Sequence, residues 1–441
     1  MEFQKDLVKI CEMYPQLKLN FRYKIWETDF LRFYHGQINY NISKTSISLY
    51  TTIYKGKKSC SFSLKGPTKE MLVEKIESVL ALIDKLPEDP DFIDLEDDLT
   101  KSEEKIKTNN IKKVDLDRKI QILKNVAKTL ESYKFKIYGT FICNYRTLIF
   151  VNSNGINKRE ISSPIYLECK AVNQKNEVTV LETYGGERFE SFKETEFISN
   201  LTEKVKIACN EVIDVNPGEY EVILAPRCIG EYFMYLGSSI HAQSLDSKQS
   251  FFEGKVNEKV FLKSITLYDD PKNEKLINFD YNSDGHIYKK LSIIHQGIFK
   301  NFFVDNYYGR KLNMLKNGAE GSALVMETGT KNLQEIIKSV KKGLYISSLH
   351  YMNFINRKET SITGLTRDGT FLIENGNITK VVNNLRFTEN ISDIIKGISE
   401  IENKAYTIPY SENYGEFGMH SVRMPHVKVT GFKISSSTRT V

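Results

Sequence analysis

Apolar positions along the chain fall into two periods, and the places where one gives way to the other predict its elements. Near the amino end, Leu7, Ile10 and Cys11 share one side of a helix over residues 6–14, because side chains three and four apart stack on one helical face. Alternating runs then predict antiparallel strands over 20–27, 30–37, 39–49 and 59–64, with His35-Gly36 and Lys55-Gly56 as turn signals. A helix over 68–85 follows: Thr68 can cap it, Glu70 lies in its first turn, and Leu72, Ile76, Leu80 and Ile83 share a face. Between 86 and 113 the periodicity disappears. That segment holds Pro87-Glu88-Asp89-Pro90-Asp91 and Glu96-Asp97-Asp98, the composition of a linker or a surface wrap.

Asp115 opens another amphipathic helix, with Ile120, Leu123, Val126, Ala127 and Leu130 on its apolar side. Strands are predicted at 137–144, 146–152, 165–172 and 178–184, then a mainly helical stretch at 189–215 that Pro217-Gly218 stops. Beyond it come a β run at 220–224, a helix at about 230–245, a helix at 333–340 and a strand-rich end punctuated by glycines. Strands and helices without regular βαβ alternation indicate an α+β fold. The shifts in pattern divide the chain into an N-terminal α+β domain (1–86), an acidic, polar linker (87–113), a central α+β domain (114–216) and a β-rich C-terminal domain (217–441).

A length of 441 residues agrees with that division, since it exceeds one ordinary domain. Charge narrows the partners. The 62 Lys and Arg against 56 Asp and Glu leave +6, scattered instead of gathered in a stripe, so no nucleic-acid partner is expected. No run approaches the roughly 18 uninterrupted apolar residues of a membrane helix. Residues 1–6 have neither the basic nor the apolar part of a signal peptide. Six cysteines without a C-x-x-C pair suit reduced thiols. The expectation is a cytoplasmic protein with no membrane partner.

The familiar catalytic cradles are missing from the sequence: no P-loop, no G-x-G-x-x-G after a strand, no G-x-S-x-G elbow. Gly237-Ser238-Ser239 is a small-residue step suited to close helix packing. A helix-borne zinc site needs two imidazoles reaching one point from adjacent turns, and His241 has no second His or Glu beside it. His420 and His426, six residues apart on an expected strand, would lie roughly 20 Å apart at 3.3 Å per residue. Asp269-Asp270-Pro271 and Asp280-Tyr281-Asn282-Ser283-Asp284-Gly285 leave two readings open: turn chemistry, or a divalent-ion or acid–base cluster.

The order of segments around those carboxylates carries a resemblance. It runs from Pro-Gly-Glu-Tyr-Glu-Val-Ile-Leu-Ala-Pro (217–226) through a helix to Phe252-Glu253-Gly254-Lys255-Val256 and Thr266-Leu267-Tyr268-Asp269-Asp270-Pro271. Phe279-Asp280-Tyr281-Asn282-Ser283-Asp284-Gly285, Gly343-Leu344-Tyr345-Ile346 and Phe371-Leu372-Ile373-Glu374-Asn375-Gly376-Asn377-Ile378 follow. This series resembles the TldD/PmbA family, once called modulators of DNA gyrase and regarded as peptidases. The resemblance is strongest from about 217 to 376. It implies an α+β amino-terminal part, a β-rich carboxy-terminal domain and a cytosolic heterodimer that cleaves unfolded peptides, including leader peptides and antitoxins. In that pairing the TldD-type chain holds zinc with an H-E-x-x-x-H helix and a cysteine near the carboxyl end.

This chain departs from that pattern. The helix after Pro226 carries Gly237-Ser238-Ser239 and the single His241, and Tyr414 stands where the cysteine is expected, before Gly415-Glu416-Phe417-Gly418. The resemblance therefore implies a PmbA-like (TldE-type) subunit that supports catalysis without performing it. No metal ligand or cofactor is expected in this chain, and zinc is expected in a TldD-type partner. Ser238, Ser239, His241 and Tyr414 become candidates for facing the peptide or the partner. A strand-rich C-terminal domain could hold an extended peptide at a sheet edge. Two rivals stand beside this reading: a self-sufficient metallopeptidase using Asp269, Asp270, Asp280 or His286, and a homodimeric module that binds peptides without cleaving them.

Overall fold

The structure, a computed structural model, describes residues 2–101, 114–277, 279–411 and 417–437. Its first half runs α1 (Glu2–Met13), β1 (Lys18–Tyr34), β2 (Gln37–Lys55), β3 (Lys58–Lys65), α2 (Lys69–Ile83), α3 (Leu116–Glu131), β4 (Phe135–Asn152), β5 (Asn157–Ser162), β6 (Ile165–Asn173), β7 (Thr179–Gly186) and α4 (Glu194–Ala208). The second half continues with β8 (Val212–Ile213), β9 (Gly218–Leu224), α5 (Pro226–Gly237), α6 (Ala242–Asp246), β10 (Leu267–Asp269), β11 (Leu291–His295), β12 (Ile298–Phe299), α7 (Asn306–Lys311), β13 (Leu324–Met326) and α8 (Leu333–Lys338). It ends with β14 (Lys342–Asn356), β15 (Ser361–Glu374), β16 (Asn377–Val382), β17 (Leu385–Asn390), α9 (Ile391–Lys396), β18 (Ile398–Ser411) and β19 (Met419–Ser437). The fold is α+β.

Among the described residues, the first sheet has the order β3-β2-β1-β4-β6-β7, with β5 on β4. Two helical pairs cover it. Leu7 and Ile10 of α1 and Leu72, Ile76 and Ile83 of α2 meet Leu19, Phe21, Leu49 and Ile53. Ile122, Leu123, Val126 and Leu130 of α3 and Phe197, Leu201 and Val205 of α4 meet Leu31, Phe33, Phe141 and Leu167.

The strands predicted at 20–27 and 30–37 are one strand, β1, and those at 137–144 and 146–152 are one strand, β4. The alternation slips because the covered face changes. At both ends of β1 the odd positions Leu19, Phe21, Leu31 and Phe33 are buried, whereas in its middle the even positions Trp26 and Thr28 are. The polar residues that look like breaks pair across the sheet: Thr28 Oγ1 donates to Asn144 Oδ1 at 2.9 Å, and Ser43 Oγ donates to Asp29 Oδ1 at 2.7 Å. The stretch expected to be mainly helical at 189–215 holds a short 3-10 turn at Phe189–Ser191, α4, and then the strand β8.

The second sheet follows the order β12-β11-β10-β13-β19-β9-β14-β15-β16-β8. It closes on itself, because β17 pairs with both β15 and β19. The circuit β19-β9-β14-β15-β17 is thus a barrel of mutually paired strands. Helices α5 and α9 pack into its apolar core with Val222, Leu344, Leu372, Phe387, Val427 and Phe432.

The described part of the acidic segment, 87–101, runs between the two sheets. Phe92 stacks on Tyr54 at 3.8 Å between ring centroids. Asn152 Nδ2 donates to Glu96 O and Lys18 Nζ to Asp94, while Lys316 Nζ reaches both Glu96 Oε1 and Asp97 Oδ1 at 2.7 Å. Arg310 pairs with Asp97 at 3.1 Å and Asn306 Nδ2 donates to Asp94 O. The segment expected to be a linker or a surface wrap ties the halves together through its carboxylates.

Candidate functional site

Helix α5 is where polar side chains meet the seam between the sheets. It begins at Pro226, which supplies a helical φ and lacks an N–H that would be unsatisfied there. Cys228, Ile229, Tyr232, Phe233 and Leu236 are buried in the barrel core. The remaining stripe, Arg227, Glu231, Met234, Tyr235 and Ser238, is half-buried and recurs at helical spacing. Gly230 permits the close approach of the sheet: a Cβ there would lie 2.8 Å from both Tyr410 Oη and Val422 Cγ2.

Along this stripe the neighbours are specific. Arg227 Nη2 donates to Thr183 Oγ1 of β7 at 2.9 Å and to Pro409 O at 3.2 Å, and its guanidinium lies 5.0 Å from the Tyr410 ring centroid. His420 also stacks on Tyr410, 5.3 Å between centroids, with Nε2 3.2 Å from Met234 Sδ. Burial drives the Glu231 carboxyl up to about 8, Arg227 opposing and Asp368 adding to the rise. It is therefore protonated at neutral pH and able to donate a hydrogen bond or a proton. Burial also holds the His420 imidazole neutral, down to about 4. The stripe ends at an open cavity of about 530 Å³ lined by Tyr235, Met352, Asn353, Phe354, Ile355 and Arg357.

A second polar group is sealed in the C-terminal sheet. His426 Nδ1 lies 2.6 Å from Glu402 Oε2, His426 Nε2 lies 2.9 Å from Tyr345 Oη, and Tyr406 Oη donates to Glu402 Oε1 at 3.0 Å. His426 and Glu402 are nearly inaccessible, which suits a satisfied core network.

The candidates drawn from the sequence scatter. The helix expected at about 230–245 starts at Pro226 and breaks after Gly237, because tight turns at Ser239 and Ile240 stop the α-helical ladder. Ser238 Oγ donates to Tyr235 O at 2.8 Å, and Ser239 is 1 % exposed. His241 caps α6, its ring edge-on to Phe303 at 5.1 Å, and burial lowers its pKa against Glu320 and Asp305. Tyr414 lies outside the described residues.

The carboxylates are turn and seam residues. Asp269 is wholly buried and accepts from Tyr288 Oη, Gly321 N and Ala323 N. Asp270 lies 3.5 Å from Lys290, and Asp280 pairs with Lys272. Asp284 N donates to Asn282 Oδ1 in an Asx turn, and burial among Asp305, Glu320 and Glu96 raises its carboxyl to about 7. His286 Nδ1 sits between Glu96 and Asp98, at 3.5 and 3.4 Å. Asp269, Asp270, Asp280 and His286 are thus held by separate partners. Among the described residues no three His, Cys, Asp or Glu side chains are grouped to hold a metal ion.

Residues 217–436 match the family model of the PmbA/TldA metallopeptidase C-terminal domain. The chain belongs to the PmbA/TldD family. It is 23% identical over 285 residues to a metalloprotease PmbA homolog of Buchnera aphidicola, covering 63% of this chain and 57% of that one. It is 23% identical over 380 residues to a zinc metalloprotease TldD homolog of Saccharolobus solfataricus, covering 79% and 80%. The match to a Methanocaldococcus jannaschii metalloprotease, 25% identical, covers 64% of this chain and 66% of that relative, so the chain spans 57% and 66% of two of the curated relatives it matches. The fold is that of TldE from Thermococcus kodakarensis, with a TM-score of 0.87, 19% identity and 98% and 99% of the two chains covered. A putative modulator of a DNA gyrase from Thermotoga maritima gives 0.83, 16% identity and the same coverage. Among the described residues of this PmbA/TldD family member, no helix is long and apolar enough to cross a membrane.

Sequence reasoning missed Arg227 and Glu231. Their signal was present: a cation and a carboxylate four apart in a helix that is otherwise apolar. Tyr410 and His420 could not be found, since only the barrel brings β18 and β19 over α5.

Proposed function

We propose that this chain is a PmbA/TldE-like, non-catalytic subunit of a two-chain metallopeptidase that acts on unfolded peptides in the cytoplasm. One observation carries the reading. One helical turn to either side of the Glu231 carboxyl, α5 places the guanidinium of Arg227 and the phenol of Tyr235. A zinc site at this helix needs imidazole, thiolate or carboxylate donors converging on one point, and a guanidinium beside the carboxyl repels the ion. The residues of α5 do not fit zinc, so hydrolysis is assigned to a TldD-type partner that brings its own metal. The printed names of the relatives, PmbA and TldD homologs and a TldE structure, support such a pairing.

In this reading the α5 stripe and the cavity at its end form part of the wall past which an unfolded chain runs. Protonated Glu231 donates to a peptide carbonyl, and Arg227, fixed by Thr183, Pro409 and Tyr410, holds the charge of the wall in place. Co-purification with a TldD-type partner and a peptide-cleavage assay, with and without this chain, tests the proposal. Cleavage that requires both chains and no metal bound by this chain alone is the expected result. Full cleavage by the partner alone, or stoichiometric zinc and proteolysis in this chain alone, overturns it.

A further inference from the structure

Strand β2 carries a long backbone edge that nothing in the described residues covers. Its inner side pairs with β1 along its whole length, but β3 pairs only with Ser48 to Lys55. Gly66 N donates to Ile47 O at 2.8 Å, so the odd-numbered residues there direct their backbone groups outward. The two-residue period of an antiparallel strand then points N–H and C=O of Asn41, Ser43 and Thr45 at the open edge. Residues 37–45 are all exposed. The even-numbered side chains add a mainly apolar face: Tyr40, Ile42, Lys44 and Ser46, with Trp26, Thr28 and Phe30 of β1 and Phe417, line a cavity of about 220 Å³.

We propose that this edge binds an extended, unfolded peptide as an added strand and seats one of its large apolar side chains in the cavity behind Tyr40 and Ile42. An added strand satisfies the outward backbone groups whatever its sequence, and a pocket for alternate side chains supplies the selectivity. Between Tyr40 and Ser46 the edge has one charge, Lys44, and no proline, so little in it repels another strand. Charge decides between occupants. Lys44 and Lys65 are exposed beside this edge and make no ion pair among the described residues. A second copy would bring the same lysines to the same place, like charge against like, whereas a peptide with acidic residues flanking its apolar ones is attracted. The sheet in the C-terminal half, where a peptide-binding edge was expected, ends its path in the two-residue strands β8 and β12, and the outer edge of its longer strand β18 is partly taken by the segment at Gly329 and Lys331. The inference rests on the reading above only for the source of the peptide.

The test uses the isolated full chain without a partner, so its outcome is separate from that of the cleavage assay. A labelled peptide of about ten residues, alternating Leu and Thr between flanking Glu residues, is titrated and followed by fluorescence anisotropy. Binding is expected, and N-methylation of every second amide weakens it at least tenfold. Ser43→Pro is expected to weaken it at least tenfold while leaving the thermal midpoint within a few degrees, because the lost N–H points away from β1. Ile42→Lys weakens it by a comparable factor through the cavity face. No binding by the unmodified chain, or equal binding by Ser43→Pro, overturns the proposal. So does a dimer that Ser43→Pro dissolves and the peptide does not displace, which would make a second copy the occupant.

Discussion

The two sheets solve the same problem in opposite ways. The C-terminal sheet closes through β17, so its strands satisfy one another and its interior is sealed from water. On the outer side of that core, against the N-terminal half, the protein keeps polar groups that water would otherwise claim: the Glu402–His426–Tyr345 network and, at the margin, Glu231. The N-terminal sheet stays open. Helices cover one face at both ends and the C-terminal half covers the opposite face in the middle, while β3 is too short to pair the outer reach of β2. Closure allows a perturbed carboxyl; openness allows a strand to be added.

The comparison can be broken most forcefully in the barrel. Phe387 is fully buried and packs on Tyr232 and Phe432. Phe387→Ala is expected to destabilise by about 3–5 kcal/mol, read as a lowered urea midpoint. A loss below about 1 kcal/mol would show that the barrel core is not tightly packed around Phe387.

Next in size is the seam. Lys316→Ala removes the cation shared by Glu96 and Asp97 and leaves Glu96 buried, at a cost of about 2 kcal/mol. Faster proteolysis within the strap at 87–101 would report it; an unchanged rate would assign the strap's hold to its other contacts. Acid gives the same release. Burial works against the Glu96 charge, but the neighbouring His286 imidazole and the hydrogen bond from Lys316 bring its carboxyl down to about 2 from an ordinary 4.5. The stabilisation is present above about pH 4.5 and is lost as pH falls toward 2, so strap cleavage by an acid-active protease should rise through that window.

A smaller effect distinguishes Glu231. Its folded value, about 8, lies above the ordinary 4.5. The folded chain holds this proton where the unfolded chain has released it, so stability falls as pH rises between those values. Glu231→Gln should flatten that fall by about 1 kcal/mol, after allowance for partial exposure, in thermal melts at pH 5 and pH 8. Equal slopes for both proteins would place Glu231 in open solvent. The smallest effect belongs to the open sheet: Tyr40→Ala, at 51 % exposure, should change stability by less than about 0.5 kcal/mol in the same melts.

Much of the N-terminal half was legible, because amphipathic helices and alternating strands announce their own faces. Thr68 does cap α2, accepting from Met71 N at 3.2 Å. Where β1 and β4 were split, the local signal was real but its cause was remote: the middle of each strand is buried on the opposite face by residues from the other half. The site was far less legible. Ser238, Ser239 and His241 drew notice as small or titratable residues at a helix end, and the structure uses them to stop the helix and pack beneath it. Glu231 drew none, because a lone carboxylate on a helix reads as a solvated side chain until the strands that desolvate it are known.

By itself, then, the order of residues determined the α+β class, the helices of the N-terminal half and the family resemblance, since each depends on local periodicity or on short segments in a set order. Tertiary structure alone decided that the acidic segment binds the halves together, that β17 closes the barrel, that Glu231 keeps its proton and that β2 has an open edge. Each of these depends on which distant strand lies alongside, and desolvation and backbone pairing belong to that arrangement, not to any residue taken singly.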